Sequence, residues 1–166
     1  MKPLIVAFAL MMACMTAHGQ THKTKVVGKE SDSSPVVSAL KAKLGGTQGY
    51  ELTEKDVEVE LYIDVQCTRL NTGLACDATY FYYPPELGLT RLWLGTSLHT
   101  GSDPSGIAQG MFEFFVNDSS EATLAKKEAD HVGYIRYACA MHGANHDAIK
   151  PDAVKSACMG RTPLPR

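Results

Sequence analysis

Val57-Glu58-Val59-Glu60-Leu61-Tyr62-Ile63-Asp64-Val65-Gln66-Cys67 and, after Leu70-Asn71-Thr72-Gly73, Leu74-Ala75-Cys76-Asp77-Ala78-Thr79-Tyr80-Phe81-Tyr82-Tyr83 read together as a two-stranded hairpin. In the first run every second residue from Val57 to Cys67 is apolar and the residues between are polar or tyrosine, the signature of a strand with one dry face and one wet face. Asn71 and Gly73 supply turn chemistry, including a backbone position open to glycine. A loop of even length sets Cys67 opposite Cys76, Val65 opposite Ala78, Ile63 opposite Tyr80 and Leu61 opposite Tyr82, so each apolar residue meets a core partner. An odd loop would set Cys67 against Asp77 and invert the second strand. In a non-hydrogen-bonded antiparallel pair the Cα atoms lie about 4.5 Å apart, within the reach of a disulfide. Pro84 and Pro85 end the second strand, because neither can donate to a ladder.

The same register divides the hairpin into two faces. Tyr62, Phe81 and Tyr83, with Glu58, Glu60 and Asp64, fall opposite the cysteines and form a candidate binding surface. A wet face carrying three aromatic rings suits an interface, where a tyrosine can bury its ring and keep its hydroxyl hydrated. Glu51, Glu54 and Asp56 extend the run of carboxylates, which reads either as a solvated sheet face or as a surface for a basic partner.

Residues 1–19 have a short positive start, Met1-Lys2, and an apolar stretch too short to span a bilayer, as in a secretory leader. Ala17 and Gly19 place small residues where a signal peptidase reads, so cleavage is expected before Gln20. A rival reading makes Cys14 a lipid-anchoring site; Met11 stands three residues before it, where leucine is usual. No other apolar run approaches the length of a transmembrane helix, so no membrane span is expected in the processed chain. Loss of Lys2 with the leader lowers the basic count from 16 to 15, against 18 acidic residues. A mildly acidic domain without a basic stripe points away from nucleic acid.

Beyond Cys14, four cysteines remain: Cys67, Cys76, Cys139 and Cys158. An even number in an exported chain favours disulfides, and the hairpin register selects Cys67 with Cys76 and therefore Cys139 with Cys158. Neither a C-x-x-C motif nor zinc-ligand spacing is present.

Residues 20–34 are polar and lysine-bearing and are expected to form a flexible tail. Pro35 opens a short helix whose apolar face is Val36, Val37, Leu40 and Leu44, stopped by Gly45-Gly46. Residues 89–98 give a further strand with Leu92, Leu94, Thr96 and Leu98 on one face and Gly95 as a bulge or close-approach point. Residues 50–52 could add an edge strand. Asp103-Pro104 caps a second helix with Ile107, Met111, Phe112, Phe115 and Val116 as its apolar face. Asp118 and Glu121 resemble a capping box for a long third helix, and a final helical segment over 151–159 carries Cys158 back to Cys139. The fold class is α+β: an antiparallel sheet of three to four strands, a short N-terminal helix, and two to three C-terminal helices packed on one face. The domain spans 35–160, with a C-terminal tail over 161–166.

Three kinds of site chemistry compete. His131, His142 and His146 cluster near the end of the third helix and could bind copper or zinc. Gly143 between His142 and His146 breaks their shared helical face, and a capping role near a helix C-terminus competes with ligation. After cleavage His22 becomes the third residue, where amine, amides and imidazole suit Cu(II), although an N-terminal glutamine readily cyclises. Ser97, His99 and Asp103 lie close in sequence, but a triad draws its members from separate elements and no G-x-S-x-G elbow is present. No catalytic residue and no cofactor is assigned. The sequence therefore favours an exported, non-catalytic module that binds or inhibits another envelope or extracellular protein through the outer hairpin face. A metal-binding protein is the alternative and a small hydrolase the third reading.

Overall fold

The computed structural model describes residues 20–87, 90–142 and Cys158. Five strands form one mixed sheet: β1 (His22–Gly28), β2 (Tyr50–Leu52), β3 (Leu61–Leu70), β4 (Gly73–Tyr82) and β5 (Leu92–Gly101), in the order β2-β1-β3-β4-β5. β1 runs parallel to both β2 and β3, whereas β3, β4 and β5 are antiparallel neighbours. Three helices complete the described fold: α1 (Ser34–Gly45), α2 (Pro104–Asp118) and α3 (Glu121–His142).

The hairpin has the register its chemistry requires. Leu61 faces Tyr82, Ile63 faces Tyr80, Val65 faces Ala78 and Cys67 faces Cys76. Cys67 and Cys76 are bonded, with Cα atoms 4.1 Å apart, and Cys139 is bonded to Cys158 across 5.2 Å. Each bridge closes a short loop and should contribute about 2–4 kcal/mol by restricting the unfolded chain. Gly73 is required at the turn, since a Cβ there would run into the carbonyl oxygen of Gly101.

The core fills the face that carries this disulfide. Val36, Leu40 and Leu44 of α1 and Ile107, Met111 and Phe115 of α2 are buried with Ile63, Val65, Ala78 and Tyr80 of the sheet. α3 joins through Leu124 and Val132, and the Tyr82 hydroxyl donates to Glu128 Oε1 at 2.5 Å. Further along α3, Ile135 and Ala138 pack with the Cys139–Cys158 bridge in a separate small cluster. Inside the main core the Tyr80 hydroxyl lies 2.6 Å from Ser97 Oγ and donates to the Met111 carbonyl, and burial pushes its pKa up to about 12.

Several expectations are corrected. Residues 22–28, expected within a flexible tail, form β1 in the interior of the sheet, with His22, Thr24 and Val26 buried. The sheet is consequently mixed and five-stranded rather than antiparallel with three or four strands. The first hairpin strand begins at Leu61, and Asp56–Glu58 form a 3-10 turn that leaves Val57 94% exposed. The cause is topological: β2 and β3 flank β1 on opposite sides and both meet it at Thr24, so residues 53–60 must cross the face of β1 and cannot also pair in the sheet. Backbone bonds from Thr53 to the Thr24 carbonyl and from Glu60 to the Lys23 carbonyl hold this crossing.

On β5, Phe81 faces Trp93 but Tyr80 faces Gly95, so Leu94 is an extra residue. The bulge inverts the alternation beyond it: Leu92, Leu94 and Ser97 are buried, while Thr96 and Leu98 point out. Gly95 is also a close approach, because a Cβ at this position would lie 3.0 Å from the Phe114 ring and the Asp118 carboxylate. Asp103 caps α2 as expected, accepting from Ser105 and Gly106 N–H groups at 3.0 and 2.9 Å. The start of α3 is capped by Ser120, whose hydroxyl accepts from Thr123 N–H at 3.4 Å, instead of by Asp118. The expected helix over 151–159 lies outside the described residues, Cys158 excepted.

Candidate functional site

All three helices pack on the inner face; among the described residues the outer one is crossed only by the segment 53–60, which lies over Lys23 and Lys25 of β1 and leaves β3, β4 and β5 uncovered. β3 contributes Tyr62 and Asp64, β4 contributes Phe81, and Tyr83 follows directly. The Tyr62 ring lies 6.3 Å from Phe81 and 6.5 Å from Tyr83, edge-on to the latter. Arg91 extends its guanidinium over Phe81 at 4.3 Å, and Trp93 of β5, 58% exposed, stands opposite Phe81 in the register. Lys127 of α3 approaches the Trp93 ring from the other side, at 5.7 Å from its centroid. Four rings thus form a row across three strands, with cations over two of them. Trp93 and Arg91 were not identified from sequence; their place in the row depends on the β4–β5 register and the bulge.

At the Tyr83 end the row opens into a groove of about 680 Å³ bordered by Lys23, Asp56, Val57, Glu58, Tyr62 and Pro85. Burial, reinforced by the Asp64 carboxylate, raises the Tyr62 pKa above its ordinary value, so its hydroxyl is a donor at neutral pH. Asp64 Oδ2 pairs with Lys29 at 3.0 Å, while its Oδ1 is buried without a hydrogen-bond partner.

The expected carboxylates are all close to this surface, but not as a free acidic patch. Glu58 accepts from Lys23 at 2.7 Å and from Lys55 at 2.8 Å, and Asp56 accepts from Lys25 at 2.7 Å. Glu54 pairs with Lys41, and Glu60 turns from the outer row to bond His22 Nδ1 at 2.8 Å. Most of the charge that suggested a basic partner therefore ties β1 and its lysines to the neighbouring segment. Exposed pairs of this kind are screened by solvent and add little to stability.

Bonds from Lys23 and then Lys55 hold the Glu58 carboxyl at about 2, below its ordinary 4.5. Because the folded value is the lower one, these bonds act in full above pH 4.5 and are lost as the pH falls toward 2. An NMR titration of the Glu58 carboxyl carbon is expected to have its midpoint near 2, and Lys23→Ala to move it up toward the ordinary range. A midpoint unaffected by Lys23→Ala would show that the bond does not persist in solution.

The remaining candidates are dispersed. His22 is 5% exposed and engaged with Glu60, which removes it from an N-terminal metal set. His131 is half-buried on α3 and its pKa is lowered by that burial. His142 is eleven residues further, about 16 Å along a helix, and His146 lies outside the described residues. Among the described residues no three His, Cys, Asp or Glu side chains are grouped to hold a metal ion. Ser97 is bonded to Tyr80, the His99 ring packs on Gly110, and Asp103 is used as a helix cap, so these three do not form a triad. Among the described residues no helix is long and apolar enough to cross a membrane.

No family model matches the sequence, and no curated protein matches it. Among solved structures, the chain is similar to TolB from Acinetobacter baumannii at 9% identity and a TM-score of 0.49, over 63% of this chain and 29% of that one. It is also similar to PelC from Paraburkholderia phytofirmans at 16% identity and a TM-score of 0.39, over 64% of this chain and 92% of that one.

Proposed function

We propose that this chain is an exported, non-catalytic binding protein that engages another envelope or extracellular protein through the outer face of its sheet. The reading is carried by the uncovered row of Tyr83, Tyr62, Phe81 and Trp93, on a sheet whose helices all lie on the other side. Aromatic side chains and arginine are the residue types enriched at protein interfaces and among their hot spots. With Asp56, Glu58 and Asp64 already paired to lysines, attraction rests on the rings and the Tyr62 hydroxyl rather than on net charge. Export is supported by the N-terminal leader pattern and by two disulfides, which persist in oxidising compartments.

The test compares capture from envelope extract by the immobilised parent and by Tyr62→Ala and Tyr83→Ala variants. Each ring lies on the surface side of the sheet, so the variants should melt close to the parent. Loss of one such anchor is expected to weaken capture of a given partner by about tenfold or more, equivalent to roughly 1.4 kcal/mol or above. Equal recovery of the same proteins by parent and variants would defeat the proposed face.

A further inference from the structure

The sheet has two edges, and they are guarded differently. An edge strand offers unpaired N–H and C=O groups to any other strand, and proteins blunt this with short strands, charges, proline or bulges. β2 is only three residues long and is centred on Glu51. β5 is ten residues long and contains no Lys, Arg, Asp, Glu or Pro. Its protection is confined to the start, where Leu94 bulges and Lys127 Nζ donates to the Trp93 carbonyl at 3.4 Å. Over residues 95–101 the pairing with β4 is regular, and among the described residues no strand lies on the other side.

We propose that β5 pairs antiparallel with β5 of a second copy of this chain, about a two-fold axis through Leu98. The regular window is symmetric about that residue. The axis sets Leu98 against its own symmetry mate, Thr96 against Thr100, Ser97 against His99, and Gly95 against Gly101. Each pair shares a face: Thr96, Leu98 and Thr100 point outward, while Ser97 and His99 point toward the helices. No charge meets a like charge, which a strand must satisfy to pair with itself. Leu98, 71% exposed in one chain, becomes covered. A two-fold axis here sets the window's exposed apolar side chain, Leu98, against its own copy, which makes the window self-complementary as an isologous contact requires. The axis is normal to the sheet, so the two outer faces lie on the same side of one continuous sheet and Trp93 stays outside the paired window. This contact does not depend on the function proposed above.

A seven-residue strand pair covers less than the roughly 1,600 Å² of a standard interface, so association is expected at micromolar concentrations and above. The experiment is sedimentation velocity on the full chain, expressed with its own leader and purified, over about 5–500 μM. The mass should rise from one protomer and level at two. Leu98→Lys places like charges on the axis and should raise the midpoint concentration by about tenfold or more. Val57→Lys, at a 94% exposed position away from β5, should follow the parent curve. Leu98→Cys should give a disulfide-linked dimer on oxidation. A one-protomer mass throughout, a mass that climbs past two, or a Leu98→Lys midpoint equal to the parent's would each overturn the proposal.

Discussion

A chain that begins at Ser31 is expected to lose its cooperative unfolding transition, although the residues it lacks look like a polar tail. The truncation removes β1, which lies between β2 and β3 and is hydrogen-bonded to both. Without it β2 has no partner strand, β3 exposes a ladder edge, and the core loses Val26 together with the buried Thr24 and His22. Glu60 is then left without His22, and Glu58 without Lys23. A domain of this size is stable by about 5–15 kcal/mol in total, and removal of an interior strand exceeds that margin. Thermal melting followed by near-ultraviolet circular dichroism is the measurement. In the full-length chain, Val26→Asp should approach the same result by burying an unpaired charge, at a cost above about 3 kcal/mol. A truncated chain that melts cooperatively within a few degrees of the parent would show that β1 is dispensable.

The second large effect is expected at Phe115 of α2. Its side chain is fully buried between Tyr50, at 5.4 Å between ring centroids, and Tyr80, at 5.7 Å, and so joins α2 to the edge strand β2 and to the interior strand β4. Phe115→Ala should cost about 3–5 kcal/mol, because the surrounding rings can only partly close the cavity. The melting midpoint should fall by roughly 10–20 °C for a domain of this length. Val57→Ala is the informative comparison. Alternation places Val57 in the core, yet it is 94% exposed, and its loss should change stability by no more than about 0.5 kcal/mol. Equal destabilisation by the two substitutions would contradict the observed crossing of residues 53–60 over the outer face of β1.

Particular residues explain what could be read in the sequence and what could not. The hairpin register was legible because two cysteines and three apolar pairs agree on one loop parity. The Asp103 cap and Gly95 were legible because each is a local demand of the backbone. β1 was missed although residues 22–26 alternate, because two of its three inward side chains are polar. Thr24 satisfies its hydroxyl on the His22 carbonyl, and His22 takes Glu60, 38 residues away. The lysines that made the segment look solvated are the ones that pair with Glu58, Asp56 and Asp64.

Of the binding face, Tyr62, Phe81 and Tyr83 followed from alternation within the hairpin. Trp93 did not, since the Leu94 bulge brings it opposite Phe81 and turns the later residues of β5 over. Alternation is a nearest-neighbour property, so the sequence alone determined which residues share a face within the hairpin and how its cysteines pair. Only the tertiary structure decided that β1 lies inside the sheet, that its lysines neutralise the acidic run, and that the helices leave the aromatic face open. Those outcomes depend on which strand lies beside which and on which side the connections pass. They are set by contacts between residues tens of positions apart, which a local pattern does not record.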